Sequence, residues 1–237
     1  MKLELSTTKS VFNIQAGRPF LETLAKGICH SVTENGTPLS DFTILLPTRR
    51  SLGGLRDAFL KANDRKPLLL PYMVPMGDLD EEDMMLSGWE DSEMSDLIGI
   101  SPAISATHRQ LLLTKLVQAF EKESTSIDQA AQLAKILGHL LDQIQTERIP
   151  FDGLEKLVPA DYSEHWQVTL KFLEILTKHW PVILKDLDLL DPADRRNKLL
   201  ESRVQLWKLI PPKGYIIAAG STGSIPATRD LLNLVAQ

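Results

Sequence analysis

The sequence predicts an α/β fold in which a parallel sheet is interrupted by an all-helical segment. Short apolar runs alternate with helix-like stretches over residues 1–100, as in parallel strands joined by crossover helices. Over residues 101–212 the apolar residues recur at helical spacing, and the strand-like pattern returns at 213–237. We therefore expect one α/β domain formed by 1–100 and 213–237, with a helical subdomain inserted at 101–212. The last helix runs to the final residue, so we expect a piece of a longer protein.

The first hundred residues predict three strands and two helices. Residues 11–16 form an apolar run closed by Gly17, which indicates a strand ending in a turn. Pro19 suits the first position of a helix that reaches about Cys29. The remaining predicted elements are, in order, a strand at 42–46, a helix at 51–61, a strand at 68–70 before Pro71, and an acidic loop at 77–99.

The segment from residue 101 to 212 predicts four helices. Pro102 and Ser105 mark the first start, Ser126 or Asp128 caps the second helix, and a third lies near 163–180. Asp191 caps the fourth, with proline in its first turn. The first two helices each carry an apolar stripe that predicts the face packed into the core. The stripe of the first is Leu112, Leu116 and Phe120, and that of the second is Ala130, Ala134, Leu137, Leu141 and Ile144. Beyond this segment we expect a strand at 215–219, a small-residue turn at 220–224 and a helix from Pro226.

Composition limits the possible functions. The formal net charge is -5, so contact with nucleic acid requires a local basic patch or partner chains. Cys29 is the only cysteine, which excludes an intrachain disulfide and a cysteine-based metal cluster. The five histidines lack a metal-ligand arrangement, so we predict no metal site. The charged amino terminus does not resemble a signal peptide and no apolar stretch reaches membrane-spanning length, so we expect a cytoplasmic protein without membrane contact.

The turn formed by Gly17, Arg18 and Pro19 occupies the place where nucleotide-binding domains carry a phosphate loop. Such a loop needs free backbone amides, a lysine for the outer phosphates, and a serine or threonine for magnesium. This turn offers one glycine, Pro19 has no amide hydrogen, and no Gly-Lys-Ser/Thr follows. An ordinary strand-to-helix turn is the favoured interpretation, although Arg18 is placed to meet an anion at the helix start.

Two further strings lie directly after predicted strands. Thr48, Arg49 and Arg50 follow the apolar run 42–46, at the strand end where open α/β sheets bind ligands. Arginine suits phosphate through its planar fork of donors, but a solvated pair of arginines explains the string equally well. Ser221 and Thr222 lie in a turn between two glycines, which is typical of an anion-binding nest. The turn has no lysine, and Ser224 as a plain helix cap is the favoured alternative.

Taken together, these strings resemble one family. In order along the chain they are Val11 to Phe20, Thr43 to Ser51, Leu68 to Pro71 with Gly77-Asp78, Asp191 to Asn197, and Ala218 to Thr228. The series resembles the amino-terminal region of the alphaproteobacterial AddB family of double-strand break repair subunits, over essentially the whole chain. The strings Leu-Leu-Pro-Thr-Arg-Arg and Ala-Gly-Ser-Thr-Gly-Ser-Ile-Pro-Ala-Thr are its most specific parts.

The resemblance implies a degenerate, superfamily 1 helicase-like domain of P-loop type. It places Gly17, Arg18 and Pro19 at the phosphate-loop position, and Thr48, Arg49 and Arg50 at a motif that touches single-stranded DNA. It also implies an AddA-type partner subunit in an ATP-dependent helicase–nuclease that processes broken DNA ends for recombination. The iron–sulfur cluster of that family belongs to a carboxyl-terminal nuclease outside this chain, so the resemblance implies no cofactor and no catalytic residue here.

Three interpretations remain open on the sequence. The first is a nucleic-acid-handling subunit without ATPase activity, in which Thr48, Arg49, Arg50, Ser221 and Thr222 contact the strand. The second is an enzyme that binds a nucleotide through a lysine-free loop around Gly220. The third is a scaffold that binds only another protein. Whether the lysine-free loop around Gly220 binds a nucleotide distinguishes the first interpretation from the second. Whether the surface around Arg49 is basic distinguishes the first interpretation from the third.

Overall fold

The computed structural model describes residues 11–76, 99–121, 126–150 and 172–237. The chain divides into two compact units, one formed by residues 1–94 and 199–237 and the other by residues 95–198. The acidic loop predicted at 77–99, apart from its last residue, and the first half of the helix predicted at 163–180 lie outside the described residues. The domain boundaries 1–100, 101–212 and 213–237 stay a prediction.

The first unit contains a parallel sheet of three strands. Strand β1 (Phe42–Leu46) lies in the centre and pairs in parallel with β2 (Tyr72–Pro75) on one side and β3 (Tyr215–Ala218) on the other. Four of the five residues of β1 are buried, as expected for a central strand with both faces covered. The fold is therefore mixed α/β with a parallel sheet, as the sequence predicts.

Two helices of this unit lie on either side of the central strand in the sequence. Helix α1 (Phe20–Asn35) precedes β1, and α2 (Arg49–Ala62) connects β1 to the segment before β2. Leu55, Ala58 and Phe59 of α2 are buried against the core that includes Ile28 of α1 and the central strand. These residues recur at helical spacing, which is typical of a helix that buries one face.

Two predicted strands are wrong. Residues 11–15 belong to no strand, and Val11 is 86% exposed, because the segment pairs with none of the described strands. Ile14 nevertheless packs against the core. Residues 68–70 are also irregular, and the strand begins after Pro71, at Tyr72. The sequence predicts that Pro71 ends a strand, whereas in the structure Pro71 directly precedes one. Proline has no amide hydrogen to donate to a strand ladder, and the position before the first strand residue needs none.

The described part of the second unit is helical apart from one isolated bridge between Ala103 and Leu190. Its elements are α3 (Ala106–Glu121), α4 (Ile127–Thr146), a π-helical turn (Ile175–His179) leading into α5 (Trp180–Asp186), and the first residues of α6 (Pro192–Leu209). Ser126 caps α4 through a complete capping box with Gln129. The predicted stripe from Ala130 to Ile144 is buried. The predicted stripe of α3, Leu112, Leu116 and Phe120, is partly buried against the same core, in which Leu113 and Val117 are the fully buried apolar residues of that helix.

A buried charge ties the helices of this unit together. The carboxylate of Asp191 lies 2.8 Å from Nε of Arg109, and it accepts hydrogen bonds from Gln145 at 2.9 Å and Trp180 at 2.8 Å. Its side chain is 0% exposed. The sequence predicts Asp191 as a helix cap, and the structure gives its carboxylate these three partners from other helices. Buried charges are tolerated only when they are paired and hydrogen-bonded in this way.

Candidate nucleic-acid interface

The carboxyl ends of β1 and β3 lie at the same edge of the sheet, because the two strands are parallel neighbours. The ladder continues past the end of β3, where the amide of Ala219 donates to the carbonyl of Leu45 at 2.9 Å. On the other side, the amide of Met76 donates to the carbonyl of Leu46 at 2.6 Å. The chain therefore leaves β1 and β3 at one aligned edge, which is where open α/β sheets bind ligands.

The three predicted site strings converge at this edge. A Cβ atom placed on Gly220 would lie 3.3 Å from Cε1 of Phe20, at the start of α1, and 3.7 Å from Cδ of Pro47, just after β1. The turn of Gly17, Arg18 and Pro19 leads directly into Phe20, and Thr48 follows Pro47. Strings separated by more than 150 residues in the sequence thus form one surface, which we call the carboxyl-edge surface.

The turn before α1 is open. Gly17 has φ +85° and a Cβ there would meet no described atom within 4 Å, while Arg18 is exposed. The amide of Arg18 donates to the carbonyl of Gln15 at 3.2 Å, so the turn is a tight one. Pro19 is the N-cap of α1, and among the described residues it provides no side-chain cap for the first amides of the helix, which is the kind of helix start that suits an anion.

The strand-end arginines lie on the first turn of a helix. Thr48 is the N-cap of α2, where its hydroxyl accepts the amide of Ser51 at 3.3 Å and lies 2.9 Å from the Ser51 hydroxyl. Arg49 and Arg50 are the first two residues of α2 and are exposed. Cations at a helix N-terminus are unfavourable by about 0.3–1 kcal/mol each at low ionic strength. This arrangement concentrates positive potential at a point that an anion would neutralise.

The turn after β3 uses some of its own hydrogen-bonding groups internally, so fewer of them remain for an anion. The hydroxyl of Ser221 accepts the amide of Gly223 at 3.3 Å, and the hydroxyl of Thr222 donates to that of Ser224 at 3.4 Å. Helix α7 (Pro226–Val235) then begins with Ile225 as its N-cap and no side-chain cap, so Ser224 is not the cap that we considered. The amide of Gly223 is therefore already used within the turn.

Arg229 is a basic residue of this surface that the sequence patterns did not single out. A Cβ on Gly223 would lie 3.6 Å from Cα of Arg229, so the first turns of α7 pack against the turn after β3. The Arg229 side chain belongs to an exposed residue. The periodicity of α7 predicts only that Arg229 lies on an exposed face. Its place beside the turn after β3 depends on how α7 packs, which the sequence pattern does not show.

The balance of charge in this unit is positive where the structure describes it. Residues 11–76 and 199–237 contain twelve lysines and arginines and seven acidic residues, a net charge of +5. Eight acidic residues of the chain are concentrated between Asp78 and Glu93. Glu22 of α1 pairs with Lys61 in the last turn of α2 at 3.0 Å, and the end of β3 carries Ile217, Ala218 and Ala219. The acidic side chains that would hold magnesium are not in that string.

The described residues give little support for a metal site, an iron–sulfur cluster or a membrane-spanning helix. They contain no group of three or more histidine, cysteine and acidic side chains that is arranged to hold a metal ion. Burial raises the pKa of the Cys29 thiol above its ordinary value of 9.0, and a single cysteine does not match the ligand set of an iron–sulfur cluster. Among the helices described, none is both long and apolar enough to cross a membrane.

The comparisons with known proteins identify no relative. No protein-family model, curated protein or solved structure matches the chain. The arrangement of the carboxyl-edge surface is therefore the observation on which a function is proposed.

Proposed function

We propose that the chain is the helicase-like, ATPase-inactive amino-terminal part of an AddB-type subunit, and that its carboxyl-edge surface binds the phosphates of single-stranded DNA. The proposal includes an AddA-type partner subunit, a degenerate P-loop-like α/β domain, and a helical insertion. The observation that carries it is the convergence of Arg18, Arg49 and Arg50 with the turn at Gly220 on one sheet edge without a lysine or an acidic strand end.

The chemistry of this surface favours phosphate recognition over nucleotide hydrolysis. Phosphoryl transfer depends on positioning and on neutralising charge with a lysine, magnesium and the groups that hold it. The string Gly17-Arg18-Pro19 has no such lysine or hydroxyl, and the end of β3 has no carboxylate. Exposed arginines and uncapped helix amides, in contrast, are groups that bind backbone phosphates without reading bases.

The second interpretation, a nucleotide bound at the Gly220 turn, is weaker on the geometry. The Ser221 hydroxyl already accepts the Gly223 amide at 3.3 Å, which removes a donor that a phosphate would need. Gly223 is also buried. The third interpretation, a pure protein scaffold, does not account for three arginines around helix starts at the sheet edge where open α/β folds bind ligands.

The direct test is the affinity of the purified chain for a fluorescent oligothymidylate at low ionic strength. We expect Arg49→Ala combined with Arg50→Ala to weaken binding by roughly thirtyfold, because two exposed phosphate contacts of about 1 kcal/mol each together contribute about 2 kcal/mol. The matched control is Lys66→Ala with Lys213→Ala. Lys66 and Lys213 are exposed and precede β2 and β3, at the opposite edge of the sheet. The two control substitutions remove the same total charge as the two arginine substitutions.

The control variant should keep nearly all of the wild-type affinity. Equal losses in both double variants would mean that only net charge matters, and the carboxyl-edge surface would not be the binding site. A wild-type chain that binds no oligothymidylate at low ionic strength would contradict the proposed function itself.

A further inference from the structure

Helix α2 carries an exposed stripe that extends away from the carboxyl edge. Arg49, Gly53 and Arg56 are spaced by four and three residues, which places them on one face of the helix. All three are exposed. From Arg49 to Arg56 the helix rises about 10 Å, so the stripe continues the basic surface beyond the first turn. We call it the α2 stripe.

The α2 stripe has a glycine at its centre that the described packing does not explain. Gly53 lies in the interior of a helix of 14 residues, where glycine is one of the least favourable residues. Its neighbour Gly54 has a packing role, since a Cβ there would come within 2.7 Å of Cδ1 of Leu21 on α1. A Cβ on Gly53 would meet no described atom within 4 Å. Gly53 therefore leaves a length of helix backbone uncovered at the surface.

An uncovered backbone beside two arginines fits a close-lying polyanion. Glycine is used where a ligand must approach the backbone closely, and arginine guanidinium groups on either side supply donors for phosphates. Asp57 follows Gly53 by four residues, so it lies beside the stripe on the same side of the helix. Arg49, Arg50 and Arg56 against this one carboxylate leave the exposed face with a net charge of +2, which complements a phosphate backbone.

We propose that a single strand of nucleic acid continues from the carboxyl edge along the α2 stripe, with its sugar–phosphate backbone lying against Gly53 between Arg49 and Arg56. This inference rests on the proposed function, because it extends the path of the same strand. It adds Gly53 and Arg56 to the interface and assigns Gly53 a steric role in binding. The side chain at position 53 then limits how closely the strand can approach.

The test is a size series at position 53 combined with Arg56→Ala, measured with the same oligothymidylate. Alanine and leucine favour helix, so Gly53→Ala and Gly53→Leu should each raise Tm by roughly 2–4 °C if the fold is unchanged. Both should weaken binding, the leucine variant more strongly than the alanine variant. Arg56→Ala should weaken binding on the order of fivefold and reduce the salt slope by about 0.7, whereas the matched variant Lys66→Ala should not.

The outcomes separate this inference from the proposed function. If Arg49→Ala with Arg50→Ala weakens binding while the Gly53 series and Arg56→Ala do not, the α2 stripe is not part of the path and the proposed function stands. If none of these variants weakens binding, both fail. If the stripe variants reduce only the binding of an AddA-type subunit, the stripe is a protein-docking surface and the inference is wrong.

Discussion

Asp191 is the residue whose removal should disturb the second unit most. Its buried carboxylate pairs with Arg109, which is 11% exposed, and accepts from Gln145 and Trp180. Removing it leaves Arg109, among the described residues, with only the half-exposed Asp142 as a counter-charge and leaves the donors of Gln145 and Trp180 without their acceptor, a loss of about 3–5 kcal/mol. We expect Asp191→Ala to lower the free energy of unfolding by that amount in urea denaturation.

The matched control for this prediction is Asp142→Ala. Asp142 contacts the same arginine at 2.9 Å but is 40% exposed, so its removal should cost less than about 1 kcal/mol. Similar losses for Asp142→Ala and Asp191→Ala would show that Asp191 is not a buried hub of this unit.

Gly214 is fixed by both its backbone conformation and its neighbour. It has φ +93°, and a Cβ there would overlap the carbonyl oxygen of Asp41. Gly36 also has a positive φ, +68°, but its Cβ would meet no described atom within 4 Å. Gly36→Ala should therefore cost only the left-handed strain of about 1–2 kcal/mol, and Gly214→Ala should cost more, because backbone must also move. Thermal unfolding of the two variants measures the difference, and an equal loss would place Gly214 in a looser turn.

At the scale of elements, a capping box between Ser126 and Gln129 stabilises the start of α4. The Ser126 hydroxyl accepts the amide of Gln129 at 3.3 Å, and the Gln129 side chain accepts the amide of Ser126 at 3.3 Å. Ser126→Ala should lower the free energy of unfolding by about 1 kcal/mol. Asp128→Asn, which alters only the first-turn charge, should cost a few tenths of that. The reverse order in urea denaturation would mean that Asp128 is the residue that stabilises the helix start.

Local patterns predict helices better than strands in this chain. The cap at Ser126, the start at Pro226 and the buried face of α4 follow from residue type and spacing, which act within one or two turns. The strands predicted at 11–16 and 68–70 fail because a strand is defined by its partner, and an apolar run does not contain that information.

The candidate site shows the same limit. The strings around Arg18, Arg49 and Gly220 can be selected from the sequence, because each contains residue types that suit phosphate. Their contact through Phe20 and Pro47 depends on the order of strands in the sheet. Arg229 is missed because its place beside Gly223 comes from the packing of α7, over a distance that no motif spans.

For the whole molecule, we predict that the purified chain does not hydrolyse ATP. The phosphate-loop position has no lysine and no magnesium-binding hydroxyl, and the end of β3 has no acidic residue. A phosphate-release assay with magnesium and saturating single-stranded DNA should therefore give the rate of the buffer blank. Turnover near ordinary helicase rates that is lost when Gly220 is replaced would contradict the prediction and favour a nucleotide site at that turn.

The central claim is that Arg49 and Arg50 of the carboxyl-edge surface contact phosphates of one DNA strand, and the salt dependence of binding tests it most directly. Each phosphate contact on a single strand contributes about 0.7 to the slope of log affinity against log salt concentration. Wild type and Arg49→Ala with Arg50→Ala are compared on oligothymidylate and on a mixed-sequence oligonucleotide. We predict a slope that is smaller by about 1.4 in the double variant, with the same loss on both sequences. An unchanged slope and affinity would contradict the claim.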